Sequence, residues 1–250
     1  MCILFLHTDN NPAPNAYKLI LASNRDEYFP RPTRQAHFWD EDSRIIGGQD
    51  QEPGREGGSW LAMSSEGRIA VLLNVTGENV QDPSRNLGRG FLVPDFVINK
   101  EHESQDTYLK RVSENGHKYN PFNFISIEVC SKEINIMEYS NGKGSSKVAE
   151  KVGIGTRGWG NSIPASPFRK VTAGTSRLKK IVETYGTTED KETLVQELLS
   201  LLKWEERTHS IILIDAKGMA EYMEWTMKEP IDPTNPTWVH VKNSFQLTNW

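Results

Sequence analysis

The sequence predicts an α+β fold in which two mainly antiparallel β-sheets pack face to face with helices outside. Three observations predict it. Apolar runs of strand length come in pairs joined by short polar turns, which is the signature of hairpins. Strands dominate both ends of the 250-residue chain, and the helical patterns lie between them. No linker, repeat or low-complexity segment divides the chain, so one domain over residues 1–250 is expected.

The elements follow in order. Cys2–His7 reads as a short buried strand, Asp9–Asn15 as a turn, and Tyr17–Ser23 as the returning strand. That strand exits into Asn24-Arg25-Asp26-Glu27, a polar run placed at a sheet rim, close to Cys2 across the hairpin. Pro30, Pro32 and the residues to Trp39 are expected to form a loop, and Ser43–Gly47 a short strand. Gly57–Met63 and Arg68–Val75 form a second hairpin around Ser64-Ser65-Glu66-Gly67. Thr76–Arg89 is polar and predicted as a surface loop. Gly90–Asn99 is helical with Pro94 in its first turn. Ser104–Asn115 is a capped helix stopped by Gly116. Phe122–Val129 and Glu133–Tyr139 form a third hairpin around Cys130-Ser131-Lys132. Pro167–Tyr185 carries Leu178, Ile181, Val182 and Tyr185 at helical spacing, and Asp190–Lys203 carries Leu194, Leu198, Leu201 and Leu202. Ser210–Asp215, Ala220–Met227 and Thr237–Phe245 close the chain as strands.

Composition excludes several function classes. Net charge is −4 and the pI about 5.9, so no electrostatic case exists for nucleic acid. No apolar run reaches the roughly 18 residues of a transmembrane helix. Ile3-Leu4-Phe5-Leu6 lacks a basic flank and does not resemble a signal peptide. Two cysteines make no disulfide framework, and six scattered histidines give no paired ligand spacing, so no metal site is expected. Gly153-Ile154-Gly155-Thr156-Arg157-Gly158 spells a dinucleotide fingerprint. Trp159-Gly160-Asn161 and Pro164 follow where that motif needs a helix, so dinucleotide binding is rejected.

The residue with the most chemistry is Cys2. Removal of Met1 would leave its thiol, with an ordinary pKa of about 8.5, beside an α-amine near 8. One residue then supplies both nucleophile and base. A Cys–His dyad with His7, His37, His117 or His209 is the other arrangement the composition allows.

Met1-Cys2 followed by Asn24-Arg25-Asp26-Glu27 closely resembles the NRDE family, also called the transport and Golgi organisation protein 2 family. The likeness continues through Gly57-Gly58-Ser59-Trp60-Leu61, Gly116-His117-x-Tyr119-Asn120-x-Phe122-Asn123, Gly158-x-x-Asn161, Pro167-Phe168-Arg169-Lys170 and Arg207-Thr208-x-Ser210-Ile211-Ile212. The family is similar to the N-terminal nucleophile hydrolases, near the choloylglycine and penicillin V acylases. This resemblance implies a four-layer αββα sandwich. It implies Cys2 as nucleophile and base, Asp26 as the group orienting its amine, Asn74 and Asn161 as oxyanion donors, and Arg207 as electrostatic support. Ser23 stands where the acylases carry an Arg.

The resemblance implies a biology other than hydrolysis: intracellular haem trafficking from mitochondria or lysosome-related organelles, Golgi organisation, and lipid or acyl-CoA handling. Cys2, Asn24, Arg25, Asp26, Glu27 and His117 are then the expected cargo-binding residues, with Cys2 and His117 as axial ligands to haem. The expected partners are haem or another amphipathic small molecule and acyl-CoA, with no required cofactor. The expected location is the cytoplasm, in association with mitochondria or Golgi.

Overall fold

The computed structural model describes residues 1–77, 87–202, 207–232 and 234–250. Residues 78–86 of the predicted Thr76–Arg89 loop, and Lys203 at the end of the last predicted helix, lie outside the described residues. The N-terminal half holds strands β1 (Ile3–Thr8), β2 (Tyr17–Arg25), β3 (Thr33–Phe38), β4 (Ile45–Asp50), β5 (Leu61–Ser64) and β6 (Arg68–Asn74). Helices α1 (Leu92–Ile98) and α2 (Gln105–Glu114) follow, then β7 (Phe122–Val129), β8 (Ile134–Ser140), β9 (Glu150–Val152) and β10 (Gly155–Trp159). Helices α3 (Arg169–Tyr185) and α4 (Lys191–Leu202) precede β11 (Thr208–Asp215), β12 (Met219–Met227) and β13 (Trp238–Gln246).

The strands form two antiparallel sheets, one ordered β10-β1-β2-β11-β12-β13 and the other β3-β4-β5-β6-β7-β8-β9. Side-chain parity sorts them into layers. On β2, Leu19 and Leu21 enter the core between the sheets, while Ile20 and Ala22 face α3 and α4. On the other sheet, Ile69 and Val71 point inward, whereas Ala70 and Leu72 pack with α1 and α2. The order is therefore helices, sheet, sheet, helices, the αββα sandwich that the resemblance implied. The described residues 153–160 contain strand β10 and no helix, as expected from the failed dinucleotide motif.

Local chemistry explains the helix placements. Ser104 caps α2 by accepting the Thr107 N–H at 3.2 Å. Helix α3 comes close to β1 because Gly174 has no side chain; a Cβ there would lie 2.1 Å from the Phe5 ring. The β5–β6 turn needs Gly67, whose φ is +78°.

Two expectations need correction. The predicted loop through Trp39 contains β3, an edge strand paired with β4 and irregular between Arg34 and His37. Its signal is weak because two prolines precede it and only Ala36 is deeply buried within it. The polar run Asn24–Glu27 is not all rim: Asn24 and Arg25 belong to β2 and are buried.

Candidate functional site

A cleft of about 200 Å³ opens at the end of the sandwich where β1 begins and β2 ends. Parity fixes what enters it. Leu4 and Leu6 of β1 face between the sheets, and Cys2 packs against that same core. Arg25 lies on the inward parity of β2 and lines the cleft with Cys2, Asp26 and Glu27. The Asp26 N–H donates to Cys2 Sγ at 3.4 Å, and Sγ donates to the Asp26 carbonyl at 3.5 Å. The α-ammonium of Met1 forms an ion pair with the Asp26 carboxylate.

The inner wall is cationic and aromatic. Trp60 lies across Gly48, where a Cβ would come within 2.6 Å of its ring. The Arg25 guanidinium stacks on Trp60 at 4.1 Å from the ring centroid. Glu27 lies 3.6 Å from Arg25 and 3.4 Å from Arg31, and Arg31 grips Asp50 with two donors at 3.1 and 2.6 Å. Arg89 donates to the Pro121 carbonyl at 2.6 Å. Burial, with Arg31 adding repulsion, brings its pKa down to about 10. Burial also lowers the pKa of Arg25, and Arg207 adds to that effect. Arg25 Nη1, Trp60 Nε1 and Asn120 Oδ1 are buried without a hydrogen-bond partner. A buried polar group without a partner costs about 1–3 kcal/mol.

The other expected site residues divide. Asn74 lines the cleft. Asn161 does not; its amide donates to the Asn74 carbonyl at 2.5 Å, which braces the end of β6. Arg207 is buried behind the cleft. It donates to the Tyr28 and Arg31 carbonyls at 3.0 and 2.5 Å and pairs with Glu229. Asn24 has helix-facing parity and stays out of the cleft, donating to the Leu202 carbonyl at 2.8 Å. Its Oδ1 lies 2.5 Å from His209 Nδ1, so that imidazole nitrogen carries the proton. His117 is exposed in a single 3₁₀ turn and does not line the cleft. Nor does any histidine line it, which removes the dyad alternative: His7 bonds Thr156 and His37 bonds the Gln35 carbonyl.

Arg31, Asp50, Arg55, Trp60 and Arg89 complete the site and were given no role from sequence. Trp60 stood in a recognised motif. The arginines carry no spacing signal, because each comes from a different connecting segment: Arg31 between β2 and β3, Arg55 between β4 and β5, and Arg89 in a 3₁₀ turn before α1. Among the described residues, no group of three or more His, Cys, Asp or Glu can hold a metal ion, and no helix is long and apolar enough to cross a membrane.

The chain matches the family model for Transport and Golgi organisation 2 over residues 1–210. It is 36% identical over 288 residues to Transport and Golgi organization protein 2 of Drosophila melanogaster, covering 98% of this chain and 99% of that protein. The human homolog is 32% identical over 265 residues, covering 92% and 94%. Among solved structures, the Caenorhabditis elegans N-acylethanolamine-hydrolyzing acid amidase ortholog is similar with a TM-score of 0.52 at 12% identity, covering 85% of this chain and 92% of that one. That likeness is one of fold: a hydrolase-like sandwich.

Proposed function

We propose that this chain, which belongs to the Transport and Golgi organisation 2 family, binds an anionic amphipathic molecule at the Cys2 cleft and transfers it intact, with haem as cargo. The observation that carries the reading is the convergence of Arg25, Arg31, Arg55 and Arg89 on one small cleft whose innermost donors are unmet. Carboxylates or phosphates would satisfy those donors, and guanidinium groups recognise both in forked geometry. A cavity of about 200 Å³ admits a polar head and leaves the apolar body outside. For haem, the propionate edge enters and Cys2 is the axial candidate, since His117 lies elsewhere. Purified protein should titrate haem saturably with a shifted Soret band, and Cys2→Ala should move that band. A flat titration refutes the cargo. Acyl-CoA carries its phosphates to the same arginines; displacement of haem by acyl-CoA would assign the cleft to acyl-CoA as well.

A second reading is amide hydrolysis by Cys2, and it has its own observation: Asp26 already holds an α-ammonium at the cleft. With Met1 removed, the Cys2 amine would take that place, Cys2 would attack, and Asn74 would stand as oxyanion donor, a role worth about 3–4 kcal/mol. Asn161 and Arg207 would support from behind. Intact mass of the native N-terminus decides this reading. A retained Met1 excludes it, and a trimmed chain whose amidase activity survives Cys2→Ala excludes it equally.

A further inference from the structure

The mouth of the cleft carries an apolar rim that the bound-ligand reading leaves unused. Tyr28 is 83% exposed and Phe29 38%, on the turn directly after the cleft residues Asp26 and Glu27. Across the mouth, Leu87 is 43% exposed and Phe91 42%, and both line the cleft. Two of these large apolar side chains line the cleft, and the other two directly follow its lining residues Asp26 and Glu27, from a segment distant in sequence.

The turn that presents the aromatics is held in place. Its backbone closes by the Arg31 N–H donating to the Tyr28 carbonyl at 3.1 Å. From behind, buried Arg207 donates to the carbonyls of both Tyr28 and Arg31. Tyr28 and Phe29 are therefore displayed to solvent by a pinned backbone. Opposite them, Arg55 and Phe91 are neighbours, since a Cβ on Gly88 would lie 2.7 Å from Arg55 Nη1 and 2.8 Å from the Phe91 ring. Among the described residues, the cleft lining holds four arginines against three carboxylates, whereas the whole chain has a net charge of −4.

We propose that this rim docks on a phospholipid bilayer bearing anionic headgroups, with Tyr28, Phe29, Leu87 and Phe91 entering the interface and the Cys2 cleft facing the lipid. Tyr28, with one polar end, suits the bilayer interface, Phe29, Leu87 and Phe91 suit its apolar side, and exposed Arg55 beside Phe91 is placed to meet headgroup phosphate. The shape of the site favours a membrane over a protein partner. A protein seated on this rim would plug the cleft, whereas a bilayer supplies an amphipathic molecule head first to a cavity that accepts only a head. The proposal rests on the reading of the cleft as a site for amphipathic cargo.

The test is flotation of the full chain with vesicles of phosphatidylcholine alone and of phosphatidylcholine with phosphatidylserine. The wild type should float with the serine-containing vesicles, less so as salt rises. The Tyr28→Ser/Phe29→Ser double variant should lose about tenfold or more of its partitioning, from the apolar area removed. Both side chains are exposed, so the fold should survive, which circular dichroism checks. Failure of the wild type to float, or equal flotation of the double variant, overturns the proposal. So does sedimentation equilibrium showing a dimer that the double variant abolishes, because the rim would then belong to a second copy. Haem titration of the wild type and the double variant in vesicle-free buffer separates the two readings. Normal haem binding by a wild type that does not float sinks the membrane proposal alone; flotation of the wild type with a flat haem titration sinks the cargo alone.

Discussion

Acid should unfasten the chain at His209. This imidazole is 7% exposed, stacks on Trp238 at 4.9 Å between ring centroids, and gives its Nδ1–H to Asn24. Burial drops its pKa from 6.5 to about 4. A histidine with a lowered folded pKa binds its proton more weakly folded than unfolded. Its contribution is therefore complete above the unfolded value of 6.5 and disappears as pH falls toward about 4. About 2.5 units at 1.36 kcal/mol each corresponds to about 3 kcal/mol across that window. His7, also lowered by burial, acts in the same direction, so the effect must be isolated by difference. Urea unfolding of the wild type and of His209→Gln, each at pH 7.5 and pH 4.5, isolates it. The wild type should lose about 2–3 kcal/mol more than the variant on acidification. Equal losses in the two proteins would refute the assignment of a buried, neutral His209.

Three further outcomes are expected. Asn24→Ala should destabilise by about 1–3 kcal/mol for each group left unmet, the His209 N–H and the Leu202 carbonyl, while ligand binding at the cleft persists; urea unfolding beside a haem titration reads both. Gly48→Val should displace the Trp60 ring and with it the Arg25 stack, costing about 1–3 kcal/mol and abolishing binding at the cleft, seen in tryptophan fluorescence and titration. Arg207→Met should free the Tyr28 and Arg31 carbonyls, cost at least about 2 kcal/mol and speed amide exchange at the 28–33 turn.

The hairpins were legible because each joins two apolar runs through a turn, and the turn chemistry at Gly67 is local. The pairing of β2 with β11 was not, since it joins Asn24 to His209 across most of the chain. That pairing decides the site. It turns Asn24 toward the helices and leaves Arg25 inward, so a motif that reads as one polar run divides between a strut and a ligand wall. Of the residues singled out from sequence, Cys2, Arg25, Asp26, Glu27 and Asn74 came to line the cleft. Asn24, Asn161, Arg207 and His117 did not, because each of the first three spends its polar atoms on backbone or a neighbouring side chain. Arg89 and Trp60 gained meaning only from the stacking of one sheet on the other.

The same long pairing orders events on the ribosome. Cys2, Arg25, Asp26 and Glu27 reach the cleft from the first 30 residues, yet their supports come from the last 50. Strand β11 must pair with β2, Arg207 must arrive to hold the turn, and Glu224 must accept the Ala36 N–H at 2.8 Å to fix β3. A nascent chain halted before residue 207 has Cys2 and Arg25 but none of these supports, so the edge of β2 that β11 covers is open to other strands. Any ligand that needs the finished cleft can therefore engage only after synthesis is nearly complete, and premature stops late in the message should yield protein that is sticky rather than weakly active.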